Sequence, residues 1–145
     1  MTYTIDFSEY FLYDDLTRHL HGLASAYPKL AALESLGKSW RRRDLWCMTI
    51  TNPDTGEHAD KPAMYIDAHI HAEEVTTSHT ALYTIWYLLT NYGTDAEVTW
   101  LLDNLTFYII PRLNPDGAEI SLTTGHHWCC SGRYRPGDEQ TRGLC

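Results

Sequence analysis

The pattern of apolar and polar positions divides the first part of the chain into one helix and two strands. Apolar residues recur near helical spacing over residues 13–28, which predicts a helix ended by a proline. Residues 30–36 predict a short strand, and residues 44–52 predict a second one with alternating apolar positions. A turn-rich loop follows, so we expect the two strands to pair antiparallel.

A strand, two helices and a further strand come next. Residues 62–69 form a near-continuous apolar run, which is typical of a strand covered on both faces. An amphipathic helix closed by Gly93 follows, and Thr94 is placed to cap a second helix. Residues 105–114 predict another buried strand, after which a proline can open a short helix over residues 115–121.

This strand–helix–strand order predicts the α/β class, with a mixed, partly parallel sheet flanked by helices. Consecutive strands of such a unit run parallel, so residues 69–74 and 114–117 should lie at the same edge of the sheet. Sites in open α/β sheets lie beyond the carboxyl ends of the strands. Residues 125–145 form a loop-rich, glycine-rich end to what we expect to be a single domain.

Composition narrows the possible partners. The 145 residues carry a net charge of −8, which argues against binding to nucleic acid or to an anionic membrane. The basic cluster Arg41–Arg43 is too short to change that expectation. No apolar run is long enough for a transmembrane helix, and the first residues do not resemble a secretory leader. Among the four cysteines, Cys47 lies in an apolar run and is expected to be a buried thiol.

Two candidate metal ligands, His71 and Glu74, lie three residues apart at the first predicted strand exit. Residues at i and i+3 face the same side of a helical turn, and an imidazole and a carboxylate can share Zn²⁺ at about 2.0–2.2 Å. His69 is the rival ligand, and Glu73 is expected to point away. Spacing and placement alone leave a metal site and an ordinary strand-to-helix turn equally open.

Three segments resemble the zinc carboxypeptidase family, the metallocarboxypeptidases of the M14 type. They are LESLGKSWRRRDLWCMTITNP, YIDAHIHAEEVTTSHTALYTIWYLL and FYIIPRLNPDGAEISLTT, in the family's order from about Tyr13 to about Pro136. A lone H-x-x-E is a weak motif, but H-x-x-E followed by N-P-D-G about forty residues later is a strong one. The resemblance implies a metallocarboxypeptidase-like fold and favours metal binding at the strand exit.

The resemblance also implies roles for individual residues. His71 and Glu74 would be two of three protein ligands of one catalytic Zn²⁺, and the turn at 114–117 would shape the site wall. A substrate-binding arginine that stabilises the oxyanion is implied in the next loop, where Arg133 is the best match and Arg135 the alternative. The implied activity is a zinc metallocarboxypeptidase acting on the C-terminus of a peptide or protein.

Two other functions stay open beside this one. The same fold could hydrolyse another amide, such as a cell-wall peptide, or it could serve as a non-catalytic binding or scaffold domain. The intact H-x-x-E argues against the scaffold for the part of the site that is visible. A histidine ligand and a glutamate base downstream would favour the enzyme.

The family's third ligand and its general-base glutamate have no counterpart in these residues. His126 and His127 are weak candidates for the missing ligand. A separate metal cluster of these histidines with Cys129 and Cys130 is equally weak, because adjacent residues chelate one ion poorly. We therefore expect residues 1–145 to be a partial domain, the N-terminal half of a carboxypeptidase-like catalytic domain. Alone it should have little or no activity and expose a sheet edge. Localisation stays open, because the absence of a leader marginally favours the cytoplasm whereas secretion is common in the family. The oligomeric state also stays open.

Overall fold

The computed structural model describes residues 3–125, and its fold is built on a four-stranded mixed sheet. The elements in chain order are α1 (Tyr13–Ala26), β1 (Ala31–Lys38), β2 (Asp44–Ile50), β3 (Ala63–Asp67), α2 (Val75–Asn91), α3 (Ala96–Asn104), β4 (Thr106–Ile110) and α4 (Pro115–Thr124). The strand order is β1-β2-β4-β3. β1 and β2 pair antiparallel, as do β2 and β4, whereas β3 and β4 pair parallel. The predicted α/β class with a partly parallel sheet is confirmed.

The hydrophobic core joins the sheet to α1, α2 and α3. Its largest fully buried apolar side chains come from all of these elements: Leu16, Leu20, Leu23, Met48, Ile50, Leu82, Ile85, Leu89, Leu102 and Ile109. Cys47 is buried as predicted, and burial raises the pKa of its thiol. None of the helices within residues 3–125 combines the length and hydropathy that a membrane span requires.

The prediction that β3 is covered on both faces is wrong for the described part of the chain. β3 is an edge strand whose only partner within residues 3–125 is β4. Met64 and Tyr65 are 49% and 59% exposed, and Ile66 packs against the core. Within residues 3–125, the apolar run therefore contributes one packed face and an exposed edge.

The predicted cap of α3 is displaced by one residue. The side chain of Asp95, not Thr94, accepts hydrogen bonds from the backbone N–H groups of Glu97 and Val98, at 2.9 and 3.1 Å. The Thr94 hydroxyl instead donates to the Asn91 carbonyl at 3.0 Å. Thr94 thus completes the end of α2, because an acceptor for the free N–H groups of α3 is already provided by the next residue.

A buried carboxylate ties the β1–β2 turn to the start of α4. Asp116 accepts hydrogen bonds at 2.9 Å from the hydroxyl of Ser39, the backbone N–H of Arg41 and Nη1 of Arg43. Its side chain is 6% exposed and that of Arg43 is 23% exposed, so water screens this ion pair only in part. Asp116 belongs to the N-P-D-G turn, so the same contact also fixes that turn.

Replacing Asp116 by alanine should lower the free energy of unfolding by about 2–4 kcal/mol, because three donors lose a buried acceptor. The free energy of unfolding of Asp116→Asn should lie between those of the wild type and Asp116→Ala, since an amide can accept hydrogen bonds but carries no charge. Urea unfolding of the purified chain measures the change. Asp15→Ala is the matched control: it removes an ion pair to Arg18 between side chains that are 50% and 62% exposed, and should change little. Equal stability of Asp116→Ala and this control would contradict the assignment.

Candidate metal centre

Hydrogen bonds join the loops that leave β3 and β4. The parallel pairing continues past the strand ends through Ala68 N–H to Ile110 O at 3.0 Å and Leu113 N–H to Ala68 O at 2.8 Å. Asn114 N–H then donates to His69 O at 3.0 Å. The two predicted site segments therefore lie side by side at one edge of the sheet, which confirms their expected placement.

The side chain of Asn114 extends this junction. Its Nδ2 donates to Ile70 O at 3.1 Å, and its Oδ1 accepts from the N–H of Gly117 at 3.0 Å as the cap of α4. Both polar atoms of the amide are thus used to hold backbone. This arrangement supports a structural role for the N-P-D-G turn at the wall of the site.

His71 and Glu74 lie in the single turn between these junctions and α2. Glu74 N–H donates to His71 O at 3.2 Å, which closes the turn. Glu74 is the N-cap of α2, the residue before its first turn. Both residues are exposed, and within residues 3–125 neither side chain makes a hydrogen bond or ion pair. One turn at a strand exit therefore carries an imidazole and a carboxylate whose ligand atoms are free within residues 3–125.

The other side of this turn is packed against α4. Ala72 is fully buried, and a Cβ placed on Gly117 would lie 2.8 Å from the Ala72 Cβ and 2.5 Å from Asn114 Nδ2. No side chain fits between α4 and the turn, so the glycine of N-P-D-G allows the two segments to touch. Ala72, one of the two residues between the candidate ligands, is thereby held against α4.

His69 is not available to a metal ion. The strand ends at Asp67, and His69 takes a left-handed backbone conformation with φ of 57°, which turns its side chain into the protein. It is 1% exposed, and its Nδ1 and Nε2 contact Ser78 Oγ at 2.6 Å and Ala72 O at 3.1 Å. Burial lowers the pKa of His69 to about 4, against a smaller opposing effect of the Ala72 hydrogen bond, so the ring is neutral at pH 7.

Sequence reasoning missed the partners of His69. Arg112 Nε donates to Ser78 Oγ at 3.1 Å, and its Nη2 donates to Phe11 O at 2.8 Å. Arg112 is 4% exposed, and burial lowers its pKa to about 10. A signal was present for Ser78, because this small polar residue occupies the same helical stripe as Leu82, Ile85 and Leu89.

The donor set of the described residues fits part of a zinc site. His71 and Glu74 supply one nitrogen and one carboxylate, both of which are common zinc ligands. Within residues 3–125 no group of three or more His, Cys, Asp or Glu side chains is placed to hold a metal ion. The other candidates, namely Arg133, Arg135, His126, His127, Cys129 and Cys130, lie outside the described residues.

Comparison with known families decides what kind of chain this is. Residues 16–143 match the model of a family described as zinc carboxypeptidase. The chain belongs to the zinc carboxypeptidase family. The match includes both candidate ligands, the N-P-D-G turn and Arg133.

Individual members of the zinc carboxypeptidase family show how much of a relative the chain represents. Carboxypeptidase A2 of Rattus norvegicus is 36% identical over 123 residues, which cover 85% of this chain and 28% of that protein. Inactive metallocarboxypeptidase ECM14 of Saccharomyces cerevisiae is 31% identical over 126 residues, or 87% of this chain and 29% of that protein. The chain therefore spans under a third of each of these two relatives.

A solved structure supports the fold of this member of the zinc carboxypeptidase family. The crystal structure of carboxypeptidase A from Helicoverpa armigera superposes with a TM-score of 0.77 at 23% identity. The superposition covers 96% of this chain and 33% of that chain. The metallocarboxypeptidase-like fold expected from the sequence is thus confirmed.

Gly117→Ala should lower the free energy of unfolding by about 1–3 kcal/mol, because the added methyl group overlaps Asn114 and Ala72. Urea unfolding measures this change. Gly93→Asn is the matched control, since Gly93 has φ of 80° with nothing within 4 Å of an added Cβ, and asparagine tolerates that conformation. A Gly117→Ala variant no less stable than Gly93→Asn would show that the close packing is not required.

Proposed function

We propose that the full-length protein is a zinc-dependent carboxypeptidase that hydrolyses C-terminal peptide bonds. One observation carries the proposal. In a chain of the zinc carboxypeptidase family, His71 and Glu74 occupy one turn at the shared exit of two parallel strands, with their side chains exposed and uncommitted within residues 3–125.

His71 and Glu74 would hold the zinc ion through an imidazole nitrogen and a carboxylate oxygen. When bound, zinc supplies a Lewis acid for the scissile carbonyl and lowers the pKa of its bound water. Catalytic zinc sites commonly have three protein ligands and an open position. We place the third ligand, together with a glutamate acting as general base, outside these 145 residues.

The chain's own residues have distinct tasks in this proposal. The Asn114 amide donates to Ile70 O and accepts from Gly117 N–H, so it keeps the wall of the site in place. Arg133 is proposed to bind the substrate and to stabilise the oxyanion of the tetrahedral intermediate. Arg135 is the alternative for that role.

A non-catalytic binding domain is the second candidate. It is favoured by one comparison, since a relative 31% identical over 87% of this chain is named an inactive metallocarboxypeptidase. The described part of the site gives it no support, because both candidate ligands are present and exposed. Metal binding and peptide hydrolysis by the full-length protein separate the two functions.

Zinc binding should depend on His71 and Glu74. His71→Ala and Glu74→Gln should each raise the zinc dissociation constant by about 10²-fold or more, because each removes one of few ligands. Competition with a chromophoric chelator measures the constant. Glu73→Gln is the matched control, an exposed neighbour in the same turn that should keep the wild-type affinity. Equal zinc binding by His71→Ala and the wild type would overturn the ligand assignment.

Arg133→Ala in the full-length protein should lower kcat by about 10²–10³-fold with little change in zinc content, since the loss falls on the transition state. Release of the C-terminal amino acid from a short peptide measures the rate. Arg135→Ala is the matched control, with the same charge removed two positions away. A large loss in Arg135→Ala with a normal Arg133→Ala would transfer the role to Arg135.

A further inference from the structure

We propose that His69 is a positioning residue, which together with Ser78 and Arg112 holds the turn carrying His71 and Glu74 in the conformation that binds metal. The part concerning metal rests on the proposed function. The anchoring of the turn does not, because it can be measured on the metal-free chain.

Three buried side chains form a continuous line of hydrogen bonds from the core to the turn. Arg112 Nε contacts Ser78 Oγ at 3.1 Å, Ser78 Oγ contacts His69 Nδ1 at 2.6 Å, and His69 Nε2 contacts Ala72 O at 3.1 Å. All three side chains are at most 4% exposed. The line therefore connects the exit of β4 and the first turns of α2 to Ala72, one of the two residues between the candidate ligands.

The chemistry of the end groups fixes the direction of each hydrogen bond. A carbonyl only accepts, so the neutral His69 ring carries its proton on Nε2 and donates it to Ala72 O. Nδ1 must then accept the hydroxyl proton of Ser78. Arginine only donates, so the Ser78 oxygen accepts from Arg112 Nε. Each hydrogen bond in the line thus has one compatible direction, so the line restrains the side chains that it joins. Among these three side chains, only Arg112 has an atom, Nη1, that is buried without a hydrogen-bond partner within residues 3–125.

Besides the His69 ring, the turn is restrained by the packing of Ala72 against Gly117, by the Thr77 hydroxyl donating to Glu74 O at 2.6 Å, and by backbone hydrogen bonds. Its backbone is closed by Glu74 N–H to His71 O at 3.2 Å and by Val75 N–H to Glu73 O at 2.9 Å. His71, Glu73 and Glu74 are exposed, and only Ala72 is buried. Short exposed turns open at low cost unless side chains hold them. The His69 ring supplies such a restraint, since it reaches Ala72 from within the fold.

The Ser78–His69 pair is not a nucleophile and its base. Both side chains are 1% exposed, so no substrate can reach the hydroxyl. The His69 Nε2 proton is also committed to a backbone carbonyl. A role in holding structure is therefore the one that the contacts allow.

Two variants test the line of hydrogen bonds separately from effects on backbone conformation and helix propensity. His69→Asn keeps a residue that tolerates the left-handed conformation at φ of 57° but is too short to span Ser78 and Ala72. Ser78→Ala removes one hydroxyl and inserts the best helix former. Thr84→Ala is the matched control, because the Thr84 hydroxyl lies on the same helix and contacts only Thr80 O within residues 3–125.

Amide hydrogen exchange of the metal-free 145-residue chain is the first readout. In both variants the Glu74 and Val75 amides should exchange about 10-fold faster or more, while the Phe107 and Ile109 amides of β4 keep their rates. Zinc affinity is the second readout, and its dissociation constant should rise by about 10–100-fold, the range seen when residues supporting a metal site are removed. Thr84→Ala should change neither.

Unchanged exchange in the turn, or equal acceleration in the turn and in β4, would overturn the proposal. Accelerated exchange with unaltered zinc affinity would also overturn the role in metal binding. If wild type and His71→Ala bind zinc equally, the proposed function fails, and the exchange rates alone then decide whether His69 anchors the turn. Should His69→Asn not fold, Ser78→Ala carries the same test.

Discussion

The candidate centre depends on the hydrogen bonds that continue the parallel pairing of β3 and β4 beyond their ends. Ala68 and His69 pair with Ile110, Leu113 and Asn114, so the turn that follows β3 starts from a position set by the exit of β4. Everything at the site follows from that junction. Asn114 joins it to α4, Gly117 lets α4 touch Ala72, and the turn that carries His71 is left exposed on top. Two segments distant in sequence thus form one surface.

Much of the fold could be predicted because period and chain order are local properties. The antiparallel pair β1–β2 and the β3–α2–α3–β4 unit follow from alternation, helical spacing and turn residues. The two wrong predictions, for β3 and for the cap of α3, concern which segments lie next to each other in the fold. An apolar run shows that residues 62–69 favour burial, but not which strands lie beside them within residues 3–125, where β3 is at the edge. In the same way, Thr94 and Asp95 could each cap α3, and only the placement of α2 assigns Thr94 to Asn91.

The site residues could be predicted only where their spacing in the sequence matches what a metal ion requires. His71 and Glu74 stand out because i, i+3 donors at a strand exit suit a metal ion, whereas spacing could not separate His71 from His69. That separation comes from the left-handed turn at His69, which sends its ring inward to Ser78 and Ala72. Arg112 is a long-range partner, adjacent to the motif in sequence yet bonded to Ser78 and Phe11, so no local pattern reveals its role.

The most direct test is a crystal structure of the chain soaked with zinc, with anomalous diffraction recorded at the zinc absorption edge. A single anomalous peak should lie about 2.0–2.2 Å from an imidazole nitrogen of His71 and a carboxylate oxygen of Glu74. The His69 ring should still contact Ser78 and Ala72. A zinc ion bound elsewhere with His71 and Glu74 free, or bound to His69 after its ring has swung outward, would contradict a metal centre built on this junction.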